Sequence, residues 1–304
     1  MQTRSWGSAP FGAALVSAVA VGAWSSPALA CSTCKCGDYT ITLLGAEKAF
    51  SGRFRAAVDY IDRSESQGQP GVDQRRTDEQ RMLLGFAYSF NDRFTVAAQL
   101  PLVRKKIVEA NLASQEAEGL GDIDLVGRWS LYRSNGEVLR HAAGLRFGVR
   151  LPTAEEVEDR QGNTLDLDVQ PDAGATAPNL GGWYAYYRFP WFLTASATYF
   201  LYGDGHQDFS PGNAATAALL GQYAVNPALA LQLGLDSRYS LRNQFSGITD
   251  PDSGGFLASL SAGLAYRIGE DLLLNAGAQI PAIEDLNGEQ DEDTTYRVGV
   301  TYDF

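Results

Sequence analysis

The stretch Thr295-Tyr-Arg-Val-Gly-Val-Thr-Tyr-Asp-Phe304 decides how this chain is read. Tyr296, Val298, Val300, Tyr302 and Phe304 fall on one face, and Thr295, Arg297, Gly299, Thr301 and Asp303 on the other. A period of two marks a strand, because successive side chains point to opposite sides of the pleat. This one has a continuous apolar face, a polar face and aromatics near its end. The pattern recurs upstream. Leu229, Leu231, Leu233 and Leu235 oppose Gln232, Gly234, Asp236 and Arg238. Leu145, Phe147, Val149 and Leu151 oppose Gly144, Arg146, Gly148 and Arg150. Ile123, Leu125, Trp129 and Leu131 oppose Asp122, Asp124, Arg128 and Ser130.

A soluble sandwich alternates in the same way, so spacing has to decide. Twelve such segments lie near 52–63, 77–90, 93–106, 119–133, 140–152, 172–187, 191–203, 212–225, 228–241, 255–267, 271–281 and 294–304. Their connections alternate between short (Asn91-Asp92, Ser134–Leu139, Arg188–Pro190, Asn226-Pro227, Gly269-Glu270) and long (near 64–76, 107–118, 153–171, 204–211, 242–254 and 282–293). An even strand count with short turns at one end and long loops at the other describes a transmembrane antiparallel β-barrel of twelve strands. Its short turns would be periplasmic and its long loops extracellular. A closed sheet also satisfies every backbone group in lipid. The terminal frame Arg297-x-Gly299-x-x-Tyr302-x-Phe304 resembles the signal read by the machinery that inserts outer-membrane barrels, which is thus an expected partner. Phe86, Tyr88, Phe90, Trp183, Tyr187, Trp191, Tyr199, Tyr202, Tyr239 and Tyr266, near strand ends, are expected in interfacial girdles.

The rest of the chain agrees with a secreted all-β protein. Hydrophobic residues make up 45% and charged residues 20% of 304, which excludes both a disordered polar chain and a bundle of membrane helices. The net charge of −12 argues against nucleic acid as a partner. Arg4, an apolar run from Phe11 to Trp24 and Ser25-Ser-Pro-Ala-Leu-Ala30 read as a signal peptide over 1–30. The run is shorter than the ~20 residues of a membrane-spanning helix. The expected organisation is therefore a leader (1–30), a periplasmic N-terminal segment (31–50) and an outer-membrane barrel (51–304) in a Gram-negative cell.

Charge sorts by location. The long loops carry twenty-two acids against Arg75, Arg76, Arg160 and Arg242, a net of −18. The acids include Glu155, Glu156, Glu158, Asp159, Asp166, Asp168 and Asp172 in or beside the third loop, and Glu284, Asp285, Glu289, Asp291, Glu292 and Asp293 in the sixth. Such runs solvate loops, and with divalent cations they can bridge to outer-membrane glycolipid, an expected partner together with the lipid itself. The polar strand faces instead carry ten bases. Arg128, Arg146, Arg150, Arg188, Arg238, Arg267 and Arg297 are expected to line the lumen with Asp122, Asp124 and Asp236; Arg53, Arg55, Arg81 and Asp59 complete the set. Ten bases against four acids predict a net positive interior whose surplus must meet water, an anion or loop carboxylates. Fixed arginines of this kind select anions in pores.

Cys31, Cys34 and Cys36 form C-x-x-C-x-C and are the only cysteines in the sequence. Three readings stay open. They are a local disulfide with one odd thiol, a soft metal ion such as Cu(I) or zinc with a fourth ligand, or a lipid anchor at Cys31. The absence of C-x-x-C-H gives no support for covalent haem. No cofactor is otherwise implied. His141 and His206 have no serine or cysteine partner legible in the sequence, and no Gly-rich phosphate loop opens a helix, so an enzyme is not expected.

Gly119-Leu-Gly-Asp-Ile-Asp-Leu-Val-Gly-Arg-Trp129, Gly144-Leu-Arg-Phe-Gly-Val-Arg-Leu-Pro-Thr-Ala154 and Asp168-Val-Gln-Pro-Asp-Ala-Gly174 resemble paired strands and a following loop of an outer-membrane transporter family labelled "MetA-pathway of phenol degradation". Asp172-Ala173 stands where that family has Gly-Thr. The segment Cys36-Gly-Asp-Tyr-Thr-Ile-Thr with Gly45-Ala-Glu-Lys48 resembles a Cys-rich branch of such barrels. The resemblance implies a passive channel for small solutes, aromatic or apolar ones among them. The competing class is a structural or binding barrel whose Cys motif holds a metal or a redox partner.

Overall fold

The computed structural model describes residues 52–69, 71–135 and 139–304. The expected leader, the segment 31–50 and its three cysteines lie outside the described residues. Twelve strands close into one antiparallel barrel. In chain order they are β1 (Phe54–Gln67), β2 (Arg75–Ser89), β3 (Phe94–Val108), a β4 in two pieces (β4a, Ser114–Leu120, and β4b, Ile123–Arg133), β5 (His141–Leu151), β6 (Ala177–Arg188), β7 (Trp191–Phe200), β8 (Ala214–Ala224), β9 (Leu229–Ser240), β10 (Gly255–Ile268), β11 (Leu272–Leu286) and a divided β12 (β12a, Gln290–Glu292, and β12b, Thr295–Asp303). Each strand pairs with its sequence neighbours, and β1 pairs with β2 on one side and β12 on the other, so the wall has no free seam.

Burial assigns the two faces. Ala57, Asp59 and Ile61 of β1 are buried, whereas Val58 and Tyr60 between them are exposed. The same parity buries Glu79, Arg81, Leu83 and Ala87 of β2 and exposes Met82, Phe86 and Tyr88. The exposed face is a band of Leu, Val, Phe and Tyr that runs round the barrel, including Leu231, Leu233, Leu235, Val298 and Val300. So large a continuous apolar surface has lipid, not water, as its solvent.

Several strands run further than their hydrophobic alternation. β1 reaches Gln67, β4a starts at Ser114 and β11 reaches Leu286. The ladder and its parity continue there, but the outward positions become Asp62 and Ser64 in β1, Arg104 and Lys106 in β3, and Glu116 and Glu118 in β4a. A hydrophobic pattern reports the height of the apolar band, not the length of the hydrogen-bonded strand.

Three aromatics expected in the girdles face inward instead. Trp183 shares the parity of the buried Ala177, Asn179 and Ala185, and the Arg128 guanidinium stacks over its ring at 3.6 Å. Tyr187 packs on Phe192, and Tyr202 joins the inner cluster of Phe200 and Ala214. Each has a polar group that lets it serve the interior as readily as the interface. Phe86, Tyr88, Phe90, Trp191, Tyr199, Tyr239 and Tyr266 are exposed on the outer surface.

Candidate functional site

The inner wall is built from ion pairs. Arg55 donates to Asp303 at 2.5 and 2.7 Å, and Arg297 meets Asp59 at 2.9 Å. Arg63 pairs with Glu65 and, at 3.1 Å, with Glu292. Arg81 donates to Glu79 at 3.1 Å, and the fully buried Lys105 lies 4.0 Å from the same carboxylate. Arg150 grips Asp124 with two bonds of 3.0 and 2.9 Å, while Arg146 donates to Asn179 at 2.9 Å. The expected surplus of positive charge is therefore corrected. Glu65, Glu79, Glu292 and Asp303 sit on the inner parity, and loop carboxylates join them. Arg63, Glu65, Glu79 and Lys105 escaped the sequence reading, although simple continuation of the odd parity of β1, β2 and β3 would have found them.

The connection between β5 and β6, residues 152–176, folds into the barrel. Its short 3-10 turn, Leu167–Val169, is buried. Val169 packs on Ile107 and Ala117 of the wall, and Leu167, Ala173 and Ala175 pack on Phe209. Gln170, fully buried, receives the Val157 amide at 2.7 Å and donates to the carbonyls of Val157 and Leu165. Carboxylates latch this loop to basic residues of β2. Arg75 reaches Asp166 at 2.9 Å and Asp168 at 2.8 Å, and Arg81 lies 3.5 Å from Asp172. Asp166, Asp168 and Asp172, expected on an exposed acidic loop, thus face the interior. In the sixth connection Glu284 and Asp285 belong to β11, and Asp291 and Glu292 to β12a.

The three stretches that carry the family resemblance meet where this loop is anchored. The turn between β4a and β4b lets Pro171 approach Gly119, where a Cβ would lie 3.0 Å from its ring, and a Cβ on Gly121 would overlap the Asp172 carboxylate. Asp172 accepts the Asp122 amide at 3.2 Å, and Asp122 accepts the Ala154 amide at 3.1 Å. Thr153 Oγ1 accepts from the Ile123 amide and donates to Gly121 O, both at 3.0 Å. Gly119, Gly121, Asp122, Thr153 and Ala154 therefore form the socket for Pro171-Asp172.

His206 stands over the loop, its Nε2 donating to Ala154 O at 2.8 Å, and a Cβ on Gly174 (φ +62°) would strike its ring. His141 Nδ1 shares a 2.7 Å bond with the Tyr184 hydroxyl at the turn end.

Burial, together with the neighbouring Asp166, outweighs the pull of Arg75 and Lys105 and raises the Asp168 carboxyl to about 7. A carboxyl whose docked pKa exceeds its free value docks best protonated. Docking is therefore strongest below the ordinary carboxylate range near 4 and weakens as pH rises through about 7. Amide-exchange protection over 165–172 should be higher at pH 5 than at pH 8 once intrinsic rates are removed. Equal protection would contradict this.

The loop fills the half of the barrel enclosed by β2 to β6. Beside it a cavity of about 220 Å³ remains, walled by β1, β2, β12 and by β8 to β11. The β8–β11 wall is kept open by small or neutral polar inner residues such as Thr216, Ser259, Ser261 and Asn275, and by Gly263 paired directly with Gly277. Of the residues expected in the lumen, Arg81, Asp236, Arg238 and Arg297 line this cavity. Arg128, Arg146, Arg150, Asp122 and Asp124 belong to the loop-filled half through the contacts given above. Arg188 is exposed beside a turn on the parity of outward Leu180 and Tyr184, and Arg267 is exposed at the turn end of β10. Arg238 of β9 reaches across to Glu292 of β12a at 3.3 Å, so an Arg63–Glu292–Arg238 chain spans the cavity. No cluster of three or more His, Cys, Asp or Glu side chains suited to a metal exists among the described residues.

No protein-family model matches the sequence, and no curated protein matches it. Solved structures do match the fold. The COG4313 outer membrane channel from Pseudomonas putida F1 superposes with a TM-score of 0.66 at 17% identity, over 89% of this chain and 100% of that one. The translocator domain of the autotransporter NalP from Neisseria meningitidis gives 0.50 at 14% identity, over 84% and 89%. At these identities the likeness is one of fold, the closed outer-membrane type of barrel.

Proposed function

We propose that this chain is an outer-membrane channel that passes small solutes, with its short turns and N-terminus on the periplasmic side. The observation that carries this reading is the cavity of about 220 Å³ left between the inward loop and the β8–β11 wall. A barrel serving only as scaffold has no need of a polar wall kept free of bulky side chains by Gly263, Gly277, Ser259 and Ser261. The volume is below the ~300–1,000 Å³ of pockets for drug-sized ligands, which favours small solutes. The two solved relatives are a channel and a translocator, so fold alone does not choose between such roles.

Membership of the outer-membrane transporter family resembled by residues 119–190 is part of the same proposal. Its support is spatial, since the three resembling stretches meet at the anchor of the inward loop. The aromatic or apolar solutes that the resemblance implies find support in Ile61, Leu220 and Leu257, which line the cavity with the arginines. The protein refolded after leader removal should migrate heat-modifiably and produce discrete current steps in planar bilayers. Correctly folded, membrane-inserted protein that never conducts would overturn the channel reading.

A further inference from the structure

Resting on the channel reading, we propose that the cavity holds the carboxylate of a small organic anion at Arg238 and Arg297, with Glu292 occupying the carboxylate position when no solute is present. What a solute meets depends on which partner of each ion pair faces the open space. The side chain of Arg297 is 22% exposed and that of its partner Asp59 only 2%. The side chain of Arg238 is 19% exposed and that of Glu292 10%. In the Arg297 pair the carboxylate lies behind the guanidinium, whereas Arg238 and Glu292 both line the cavity, Glu292 being the less exposed of the two. A solute in the cavity therefore meets the tips of Arg297 and Arg238, with Glu292 and Asp236 beside them. Close-range electrostatics in a narrow, partly desolvated space follow the nearest charge, not the sum.

A chain of ion pairs also crosses the cavity. Arg63 and Arg238 come from opposite walls and converge on Glu292 at 3.1 and 3.3 Å. Glu65 holds Arg63 independently. Arg238 can therefore exchange Glu292 for an incoming carboxylate while Glu292 stays paired with Arg63. Glu292 ends the three-residue β12a, where it pairs with Glu65 of β1, and Asp293-Thr294 separate it from β12b, so it sits at the end of a short ladder. A guanidinium matches a carboxylate with two parallel N–H···O bonds, which makes the exchange one of like for like. Ile61, Leu220 and Leu257 line the same cavity and give an apolar body something to pack on. Asp236, on the same face as Arg238, accepts bonds from Ser261 and Gln279 of the facing strands.

The test uses the full refolded barrel in planar bilayers under a potassium chloride gradient, with benzoate as the probe carboxylate. Arg238→Gln should lower the chloride-to-potassium permeability ratio by about three-fold or more, and Glu292→Gln should raise it by a similar factor. Millimolar benzoate should reduce chloride current through the native protein and through Arg146→Gln, which leaves the cavity wall intact, but not through Arg238→Gln. Conducting variants with unchanged selectivity and unchanged benzoate block would overturn the proposal and leave the channel reading standing. If the native protein does not conduct, calorimetric titration of benzoate into the detergent-solubilised barrel decides. Binding that Arg238→Gln removes supports the carboxylate site without a channel. Binding that is absent, or equal in both proteins, overturns the site.

Discussion

Replacing residues 155–172 by a short Gly-Ser linker is expected to raise single-channel conductance several-fold while leaving the barrel heat-modifiable. The loop connects neighbouring antiparallel strands, and β5 and β6 pair from His141↔Tyr186 to Arg150↔Ala177 without its help. Its buried residues, Leu167, Asp168, Val169, Gln170 and Asp172, occupy space inside the wall, so their removal opens the half of the barrel now closed. A milder variant makes the same point through the latch alone. Arg75 holds both Asp166 and Asp168, and Asp168 is 2% exposed. With its carboxyl at about 7, Asp168 left without Arg75 takes up a proton at pH 8 at a cost of about 1.4 kcal/mol, roughly ten-fold in the docking equilibrium. Arg75→Ala is therefore expected to produce frequent transitions to a larger conductance level at pH 8. The effect should shrink at pH 5, where protonated Asp168 needs no counter-charge. Unchanged conductance after loop replacement would show that the loop does not restrict the path.

The barrel was legible because lipid demands an uninterrupted apolar face. Leu229 to Leu235 and Tyr296 to Phe304 display that face directly, and the alternation of short and long connections supplied the topology. What the alternation could not show was where charge ends up. Asp172 is one more acid in an acidic loop when read along the chain. In the fold it accepts the Asp122 amide and lies beside Arg81, on elements that precede it by 50 and 91 residues. Glu79 and Lys105 were missed for a different reason. They lie inside the segments 77–90 and 93–106 read as strands, but at the ends where the outward positions have already turned polar, so no apolar face opposite them marked them as inner. Trp183 was misassigned because an aromatic near a strand end has the same sequence signature whether it meets the membrane interface or, as here, the Arg128 guanidinium. The seam between the first and last strands was also only half visible. Gly299 entered the reading as one letter of a terminal signal, whereas its neighbours give it a packing role.

That role predicts the largest loss of folding. Gly299 faces Asp59 of β1 and Asn275 of β11 in register, on the inner side. A Cβ there would overlap the Asp59 carboxylate and lie 2.8 Å from the Asn275 amide nitrogen. Asp59 has little room to yield, being 2% exposed and bound by Arg297 at 3.1 and 2.9 Å. Further along the same seam, Arg55 and Asp303 make the second buried pair. Gly299→Leu is thus expected to break the Asp59–Arg297 pair and force β12b away from β1, at the point where the barrel must close. At about 3–5 kcal/mol for an uncompensated buried charge, the closed form should fall by two orders of magnitude or more. A terminal sorting signal and a packing requirement then separate cleanly. Phe304 is exposed beyond the last pair, stacked edge-on against Tyr302 with its amide on Phe54 O at 2.8 Å. Its deletion should impair assembly in cells yet permit refolding into detergent, because no inner contact is lost. Gly299→Leu should fail in both settings, measured as loss of the heat-modifiable band. Refolding of Gly299→Leu at native yield would show that the seam tolerates a side chain there and that Gly299 serves recognition alone.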